Sequence, residues 1–192
     1  MRLFLAIDVN DEVRRRATDV RRHVDGRHPA AARGLRWVRA DQLHLTVRFL
    51  GEVSEALAGQ IVAACHGILE EGTFSVEFGS ASWLPPGGTP RVLMLPVVSG
   101  LEPLRHLKAL VDRRLPAGIP PDDPRPFTPH LTLARVREAL RREVRILARE
   151  MTATRWPAVA SPVNHVSLMR SVLSPRGPDY DELARLVLGS TG

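Results

Sequence analysis

Two stretches of the chain, residues 43–50 and 129–135, alternate apolar residues with polar or small ones. This period of two is typical of half-buried β-strands. An apolar run precedes each stretch, at residues 2–9 and 91–98, and a segment with helical periodicity lies between the run and the stretch. Another helical segment follows each stretch. The pattern therefore predicts a strand–helix–strand–helix unit that occurs twice in the chain.

The two predicted units have similar spacing. Their first strands are offset by 89 residues, and their histidines, His44 and His130, are offset by 86. A unit of this size is larger than a solenoid repeat. We therefore predict an α+β fold with two pseudo-symmetric lobes of antiparallel sheet backed by helices, and an active cleft between the sheets. Residues 1–192 would form a single bilobal domain with halves at roughly 1–88 and 89–192. A pair of βαβ units of the RNA-recognition-motif type is the alternative fold.

Each motif strand places a histidine and a threonine on one face, as His44-x-Thr46 and His130-x-Thr132, and leucines on the other face. Histidine can transfer a proton near neutral pH, and a threonine hydroxyl can bind an anionic oxygen. A single pair of this kind is common on structural strands. Two copies in similar surroundings predict a cleft with a histidine on each wall, which suits acid–base chemistry on a phosphodiester.

Composition and charge bound the class of protein only loosely. Hydrophobic residues make up 44% of the chain and charged residues 25%, which is ordinary for a globular domain. The net charge of +6 suits an anionic partner. However, Lys108 is the only lysine among the cations, so the codon bias of a GC-rich genome explains the arginine content equally well. The lone Cys65 excludes a disulfide framework. No run suits a membrane span or a signal peptide, so a cytoplasmic location is expected.

Phe49 stands at the fifth position after the first motif histidine, and Arg135 at the fifth position after the second. With these residues the chain resembles the 2H phosphoesterases. Within that superfamily it is similar to the bacterial and archaeal RNA 2′,3′-cyclic phosphodiesterases, which are also called 2′-5′ RNA ligases. The resemblance covers nearly the whole chain, through the segments 2–8, 37–38, 49–52, 90–93, 127–135 and 168–180.

This resemblance implies a function and a role for each motif residue. It implies hydrolysis of RNA 2′,3′-cyclic phosphate ends to 2′-phosphates, with a reversible 2′-5′ ligation activity in some members. It further implies that His44 is the proton donor to the departing 3′ oxygen and that His130 is the proton acceptor that activates water. Thr46, Thr132 and Arg135 would bind the substrate phosphate. The sequence by itself leaves acid and base unassigned, because the repeat is nearly symmetric.

Two arginines and one loop carry further expectations. In an unbroken strand, Arg48 shares the face of the first His-x-Thr pair, so we expect it to border the cleft. Arg135 lies out of phase with the second pair, so a phosphate contact there requires a twist, a bulge or a strand end. The stretch 116–129 holds six prolines and forms a stiff loop. Because this loop leads into the second motif strand, we expect it to position His130 or to line the entrance.

Alternatives to a metal-independent RNA phosphodiesterase remain at this stage. A metal site is disfavoured, because no His-x-His, His-Glu-x-x-His or carboxylate cluster accompanies either motif histidine. No metal and no cofactor is therefore expected, and no P-loop indicates ATP. A non-enzymatic RNA-binding module would need no pair of histidines. The expected partner is an RNA or a nucleotide with a 2′,3′-cyclic phosphate, which leaves a small cyclic nucleotide open as substrate. We expect a monomer that does not associate with membranes.

Overall fold

The structure is a computed structural model that describes residues 1–122, 124–138, 141–151, 154–174 and 177–189. None of the helices in these ranges is long and apolar enough to cross a membrane. The helices are α1 (Asp11–Arg27), α2 (Pro29–Ala32), α3 (Glu55–Ala64), α4 (Leu101–Arg114) and α5 (Arg141–Met151). The strands are β1 (Arg2–Asp8), β2 (Leu35–Trp37), β3 (His44–Glu52), β4 (Gly67–Glu70), β5 (Phe74–Phe78), β6 (Ser82–Leu84), β7 (Val92–Ser99), β8 (His130–Val136), β9 (Val159–Val163), β10 (His165–Ser174) and β11 (Gly177–Gly189).

Local sequence signals account for where the main helices begin. Asn10 accepts a hydrogen bond from the backbone N–H of Val13 at 3.1 Å, which caps the first turn of α1. Ser54 caps α3 in the same way. Before α4 the chain turns at Gly100 with a φ of 80°. A Cβ atom there would lie 2.4 Å from the carbonyl oxygen of Ser75, so only glycine fits this turn.

The strands follow one sheet path in the order β4-β11-β10-β1-β3-β8-β7-β5-β9, with β2 paired to β8 and β6 paired to β7. The middle of this path is an antiparallel contact between β3 and β8, registered at Leu45 and Leu131. β4 pairs in parallel with β11, and the other registered pairs in the described chain are antiparallel. The prediction of an α+β fold with two lobes of largely antiparallel sheet is confirmed. One lobe runs along this path from β4 to β3 and the other from β8 to β9, and they meet edge to edge at the β3–β8 contact.

One face of the sheet packs on the helices and forms the core. Alternate residues of β1, such as Leu3 and Leu5, belong to this core together with the buried stripe of α1. Phe4 and Ala6 are also buried, but they lie on the opposite face and outside the core cluster. Ala6 pairs with Thr46 of β3, so the first His-x-Thr motif lies on that opposite face.

The two lobes take their strands from both halves of the chain. β10 pairs with β1, although these strands lie at opposite ends of the sequence. β5, from the first half, pairs with β7 and β9 from the second. Each lobe therefore contains strands from both sides of the boundary near residue 88. The division of the chain into repeats at 1–88 and 89–192 stays a prediction.

Candidate active site

The two His-x-Thr motifs lie side by side where β3 meets β8. Because these strands pair antiparallel at Leu45 and Leu131, His44 faces Thr132 across the junction, and the other threonine and histidine face each other likewise. The four polar residues are half-buried on one face, while both leucines are fully buried on the other. Opposed Cβ atoms in such a ladder lie about 4.5–5.5 Å apart, and diagonal neighbours about 7–8 Å. The structure thus brings both predicted histidines into one site.

Both imidazole rings are oriented by the same kind of backbone contact. Nδ1 of His44 lies 2.8 Å from the carbonyl oxygen of Gln42. Nδ1 of His130 lies 2.7 Å from the carbonyl oxygen of Thr128. A carbonyl can only accept a hydrogen bond, so we infer that Nδ1 of each ring carries a hydrogen and donates it. In both motifs, Nε2 is then the atom that can take or give a proton in the cleft.

Aromatic side chains enclose the ring of His44. Its centroid lies 4.9 Å from that of Phe4 and 5.3 Å from that of Tyr180, which meets it edge-on. Burial lowers the pKa of His44 below its ordinary value of 6.5, and the charge of Arg135 lowers it further. The backbone carbonyl bound to Nδ1 and the carboxylate of Asp8 oppose this shift. Once protonated, His44 is therefore a stronger acid than an ordinary histidine.

A β-bulge directly follows the threonine of the first motif. Ala6 of β1 pairs with Thr46, but the preceding Leu5 pairs with Arg48, so Val47 is an extra residue in β3. The bulge turns Arg48 toward the helix-covered face, where it is only 8% exposed. The prediction that Arg48 borders the cleft is therefore wrong. The alternation from which we inferred it breaks at Val47.

A matching bulge in the second motif places Arg135 on the face of the histidines. Leu133 is the extra residue of β8, opposite the step between Leu93 and Met94 of β7. Leu133 and Ala134 are consecutive buried residues, and Arg135 after them is exposed. The charge of Arg135 also acts on the first motif, since it lowers the pKa of His44. The bulge that a phosphate contact at Arg135 requires is present.

A second arginine, which has no role predicted from the sequence, lies beside Arg135. β2 pairs with the end of β8 so that Arg36 stands directly opposite Arg135. The neighbours of Arg36, Leu35 and Trp37, pack on the core, so Arg36 itself lies exposed on the cleft face. Within the described ranges, neither guanidinium pairs with an acidic side chain. Like charges placed directly opposite each other in a sheet are unfavourable, so a negatively charged ligand would relieve this arrangement.

The hairpin formed by β10 and β11 closes one end of the site. Nε2 of Gln42 donates to the carbonyl oxygen of Pro178 at 2.6 Å. Arg39 forms an ion pair with Asp179 at 3.1 Å. These contacts hold Tyr180 near the first motif histidine. Neither Tyr180 nor Gln42 has a role predicted from the sequence, because no local pattern shows that this hairpin packs against the first motif.

The remaining donors of the site are free to bind a ligand. Thr46 and Thr132 are half-buried, and neither hydroxyl forms a hydrogen bond with another residue that the structure describes. Across the same ranges, no group of three or more His, Cys, Asp or Glu side chains could hold a metal ion. The cleft face thus offers two imidazoles, two hydroxyls and the guanidiniums of Arg135 and Arg36. This set of groups suits an anionic ester that needs protons moved on two sides.

An α+β sheet with two His-x-Thr motifs in register at the junction of its lobes defines a two-histidine phosphoesterase. The sequence profile described as the 2′-5′ RNA ligase superfamily matches residues 9–174. The chain belongs to this superfamily, and the prediction of the family is confirmed.

Similar proteins cover nearly the whole chain. A Thermus thermophilus protein named RNA 2′,3′-cyclic phosphodiesterase is 33% identical over 198 residues, covering 98% of this chain and 90% of the relative. An Archaeoglobus fulgidus protein of the same name is 28% identical over 183 residues, with coverages of 95% and 98%. The crystal structure of E. coli LigT complexed with 3′-AMP matches with a TM-score of 0.70 at 26% identity and covers 98% of each chain.

Proposed function

We propose that this protein hydrolyses the 2′,3′-cyclic phosphate at the end of an RNA to a 2′-phosphate, with His44 and His130 as acid and base and without a metal ion. The observation that carries the proposal is the register of β3 with β8, which places the two motifs side by side. In both motifs the histidine ring donates a hydrogen bond from Nδ1 to a backbone carbonyl. Two Nε2 atoms are thereby directed to one face. His44 and His130 are diagonal neighbours in the ladder, and this spacing of the two residues suits a phosphate and its two flanking oxygens.

The proposed reaction moves one proton on each side of phosphorus. Nε2 of His130 accepts a proton from water as the water oxygen bonds to phosphorus. The bond between phosphorus and the 3′ oxygen breaks on the opposite side, and Nε2 of His44 donates its proton to that oxygen. The products are a 2′-phosphomonoester and a free 3′ hydroxyl, and exchange with solvent restores both rings. In-line displacement requires the two proton carriers on opposite sides of phosphorus.

The other groups of the site would stabilise the phosphate as its charge grows. The hydroxyls of Thr46 and Thr132 can donate to the non-bridging oxygens, because they have no other partner among the described residues. Arg135 adds a positive charge on the same face. The assignment of His44 as the donor rests on the resemblance to the family.

RNA is the substrate class that the surroundings of the site favour. Arg36 extends the positive charge beyond Arg135 along the cleft face. Phe49, which is 59% exposed and has its ring 6.3 Å from that of Phe4, can stack on a base. The names of the relatives, RNA 2′,3′-cyclic phosphodiesterase, agree with this substrate. If a 5′ hydroxyl attacks in place of water, the same groups would form a 2′-5′ linkage. One chain supplies all these groups, so a monomer suffices.

Product analysis on oligoribonucleotides that end in a 2′,3′-cyclic phosphate tests the proposal. With EDTA present, the protein should convert them to 2′-phosphate ends. Oligonucleotides with a 3′-phosphate end should be unchanged under the same conditions. Loss of activity with EDTA and recovery with added metal would contradict the metal-independent mechanism. Turnover of free 2′,3′-cyclic AMP at the same kcat/KM would instead favour a small cyclic nucleotide as substrate.

A further inference from the structure

We propose that Arg48 is a positioning residue, which holds the proline-rich segment 115–129 so that His130 stands in its working orientation. This inference rests on the proposed function, in which His130 transfers a proton. Arg48 lies on β3 four residues after His44, but on the helix-covered face of the sheet. It therefore acts from behind the cleft and touches no substrate.

Arg48 belongs to a compact group of four charged side chains, the Arg48 clasp, made up of Arg48, Lys108, Asp112 and Asp122. The Arg48 guanidinium lies 2.6 Å from the carboxylate of Asp122 and 3.5 Å from that of Asp112. Lys108 lies 2.7 Å from Asp112 and 2.6 Å from Asp122. Both cations thus bridge a residue of α4 to a residue of the proline-rich segment.

The clasp holds the segment at two points ahead of His130. Nη2 of Arg48 donates to the carbonyl oxygen of Pro120 at 2.9 Å, next to the Asp122 ion pair. Lys108 lies 5.8 Å from the ring centre of Phe127, which packs against the core. Thr128 follows directly, and its carbonyl oxygen accepts the hydrogen bond from Nδ1 of His130. The contacts therefore run from the clasp to the atom that sets the ring orientation of His130.

The two repeats differ at the position of Arg48 and in the length of the segment before the motif histidine. This difference indicates the role of the clasp. The residue of the second repeat that corresponds to Arg48 is Ala134, since each is the fourth residue after its histidine and each follows a bulge. Only six residues, 38–43, separate β2 from the first motif histidine, and its ring-orienting carbonyl belongs to Gln42. The second motif histidine follows a fifteen-residue segment whose described residues form no helix or strand. It is this long segment that the clasp anchors.

Stability by itself does not account for a buried arginine in this position. Taking a guanidinium and its carboxylate partners out of water has a large desolvation cost, and well-packed apolar side chains often replace such groups without loss of stability. A guanidinium that pairs with two elements at once fixes the position of one relative to the other, which an apolar side chain does not do. Arg48 donates one hydrogen bond, from Nη2 to Pro120, and forms ion pairs with one carboxylate on α4 and one on the proline-rich segment.

Double-mutant cycles with the two motif histidines test the inference. The variants are Arg48→Met and Asp122→Asn, each made in wild type, in His44→Ala and in His130→Ala. The matched control is Arg105→Met, which removes the same charge and breaks an exposed ion pair with Glu102 on α4. Steady-state kcat and KM are measured on a cyclic-phosphate oligonucleotide, and thermal unfolding verifies that each variant folds.

We expect Arg48→Met and Asp122→Asn to lower kcat about ten-fold or more in wild type, with KM changed less than about three-fold, because a misplaced base slows the chemical step. The same loss should persist in the His44→Ala background and vanish in the His130→Ala background, where no base remains to be misplaced. Arg105→Met should behave like wild type in all three backgrounds.

Other outcomes overturn the inference. A loss that persists in full with His130→Ala means that the clasp is merely structural, and an unchanged kcat in both clasp variants means that it positions nothing. If Arg48→Met fails to fold, the cycle with Asp122→Asn decides between the same results. Wild-type activity of His130→Ala itself would instead refute the proposed function, so the two failures are distinguishable.

Discussion

The two motif histidines differ in their surroundings although their backbone contacts match. His44 is enclosed by Phe4 and Tyr180, and burial lowers its pKa. Asp8 of the neighbouring strand opposes this shift, and Arg135 adds to it. A bound cyclic phosphate carries a negative charge and should raise the pKa of His44 again. On the proposed mechanism, substrate binding would therefore favour the protonated form of His44.

The pH dependence of kcat/KM should show this balance of charges. If His44 must be protonated in the free enzyme, activity falls as pH rises through its pKa, which lies below 6.5. Arg135→Gln removes a charge that lowers this pKa, so the falling limb should move to higher pH. Asp8→Asn removes a charge that raises it, so the limb should move to lower pH. Limbs that stay in place in both variants would contradict the assignment of His44 as the acid.

Tyr180 should control the pKa of His44 through its ring and not through its hydroxyl. Tyr180→Ala opens the edge-on contact at 5.3 Å to water, so the pKa of His44 should rise toward 6.5. Tyr180→Phe keeps the ring and should leave the titration of His44 unchanged. An NMR titration of the His44 ring protons measures both variants. Equal pKa values in wild type and Tyr180→Ala would show that other groups bury the ring.

At the scale of the strands, the two bulges decide which side chains reach the cleft. The alternation of the sequence correctly places the His-x-Thr pairs opposite their leucines. It fails immediately afterwards, at Val47 and at Leu133, where one extra residue shifts the phase of each strand. Period-two counting assumes an unbroken ladder, so it misplaces Arg48 and puts Arg135 out of phase. The similarity of the repeats points to one shared structure, but nothing in either repeat alone marks the bulge.

The single registered pair between β3 and β8 should contribute strongly to stability. Leu45 and Leu131 are fully buried and join the two lobes beneath the site. Leu131→Ala should therefore lower the free energy of unfolding by about 2–5 kcal/mol. Leu173→Ala, at a position 75% exposed, should change it by less than about 0.5 kcal/mol. Urea denaturation measures both, and equal effects would mean that the junction is not a packed contact.

At the scale of the whole molecule, the net charge is +6, and the structure places two of the positive charges on the cleft face. Arg36 and Arg135 are adjacent on the cleft face, where an RNA chain would pass. The kcat/KM for a cyclic-phosphate oligonucleotide should fall steeply with salt, and Arg36→Gln should reduce the slope by about 0.7–1. Arg113→Gln, at an exposed position near the end of α4, is the control and should leave the slope unchanged. A slope unaffected by Arg36→Gln would place the RNA elsewhere.

The sequence predicts an internal repetition of the chain, but it does not predict how the strands assemble. The spacing of His44 and His130 indicates that two similar units face each other, and the register of β3 with β8 agrees. The pairing of β1 with β10 and of β5 with β9 joins segments far apart in sequence. Local periodicity shows that a segment is a strand, but it does not show with which other strand that segment pairs. For the same reason the sequence does not show that the closing hairpin brings Tyr180 to the first motif histidine.

The most direct test of two-histidine catalysis uses a cyclic-phosphate substrate in which sulfur replaces the departing 3′ oxygen. A thiolate leaves without receiving a proton, so this substrate needs a base but no acid. On the ordinary substrate, His44→Ala and His130→Ala should each lose about 10²–10⁴ in kcat. On the sulfur substrate, His44→Ala should recover most of its rate and His130→Ala should not. Recovery by His130→Ala alone would reverse the two roles, and recovery by neither variant would contradict acid–base catalysis by this pair.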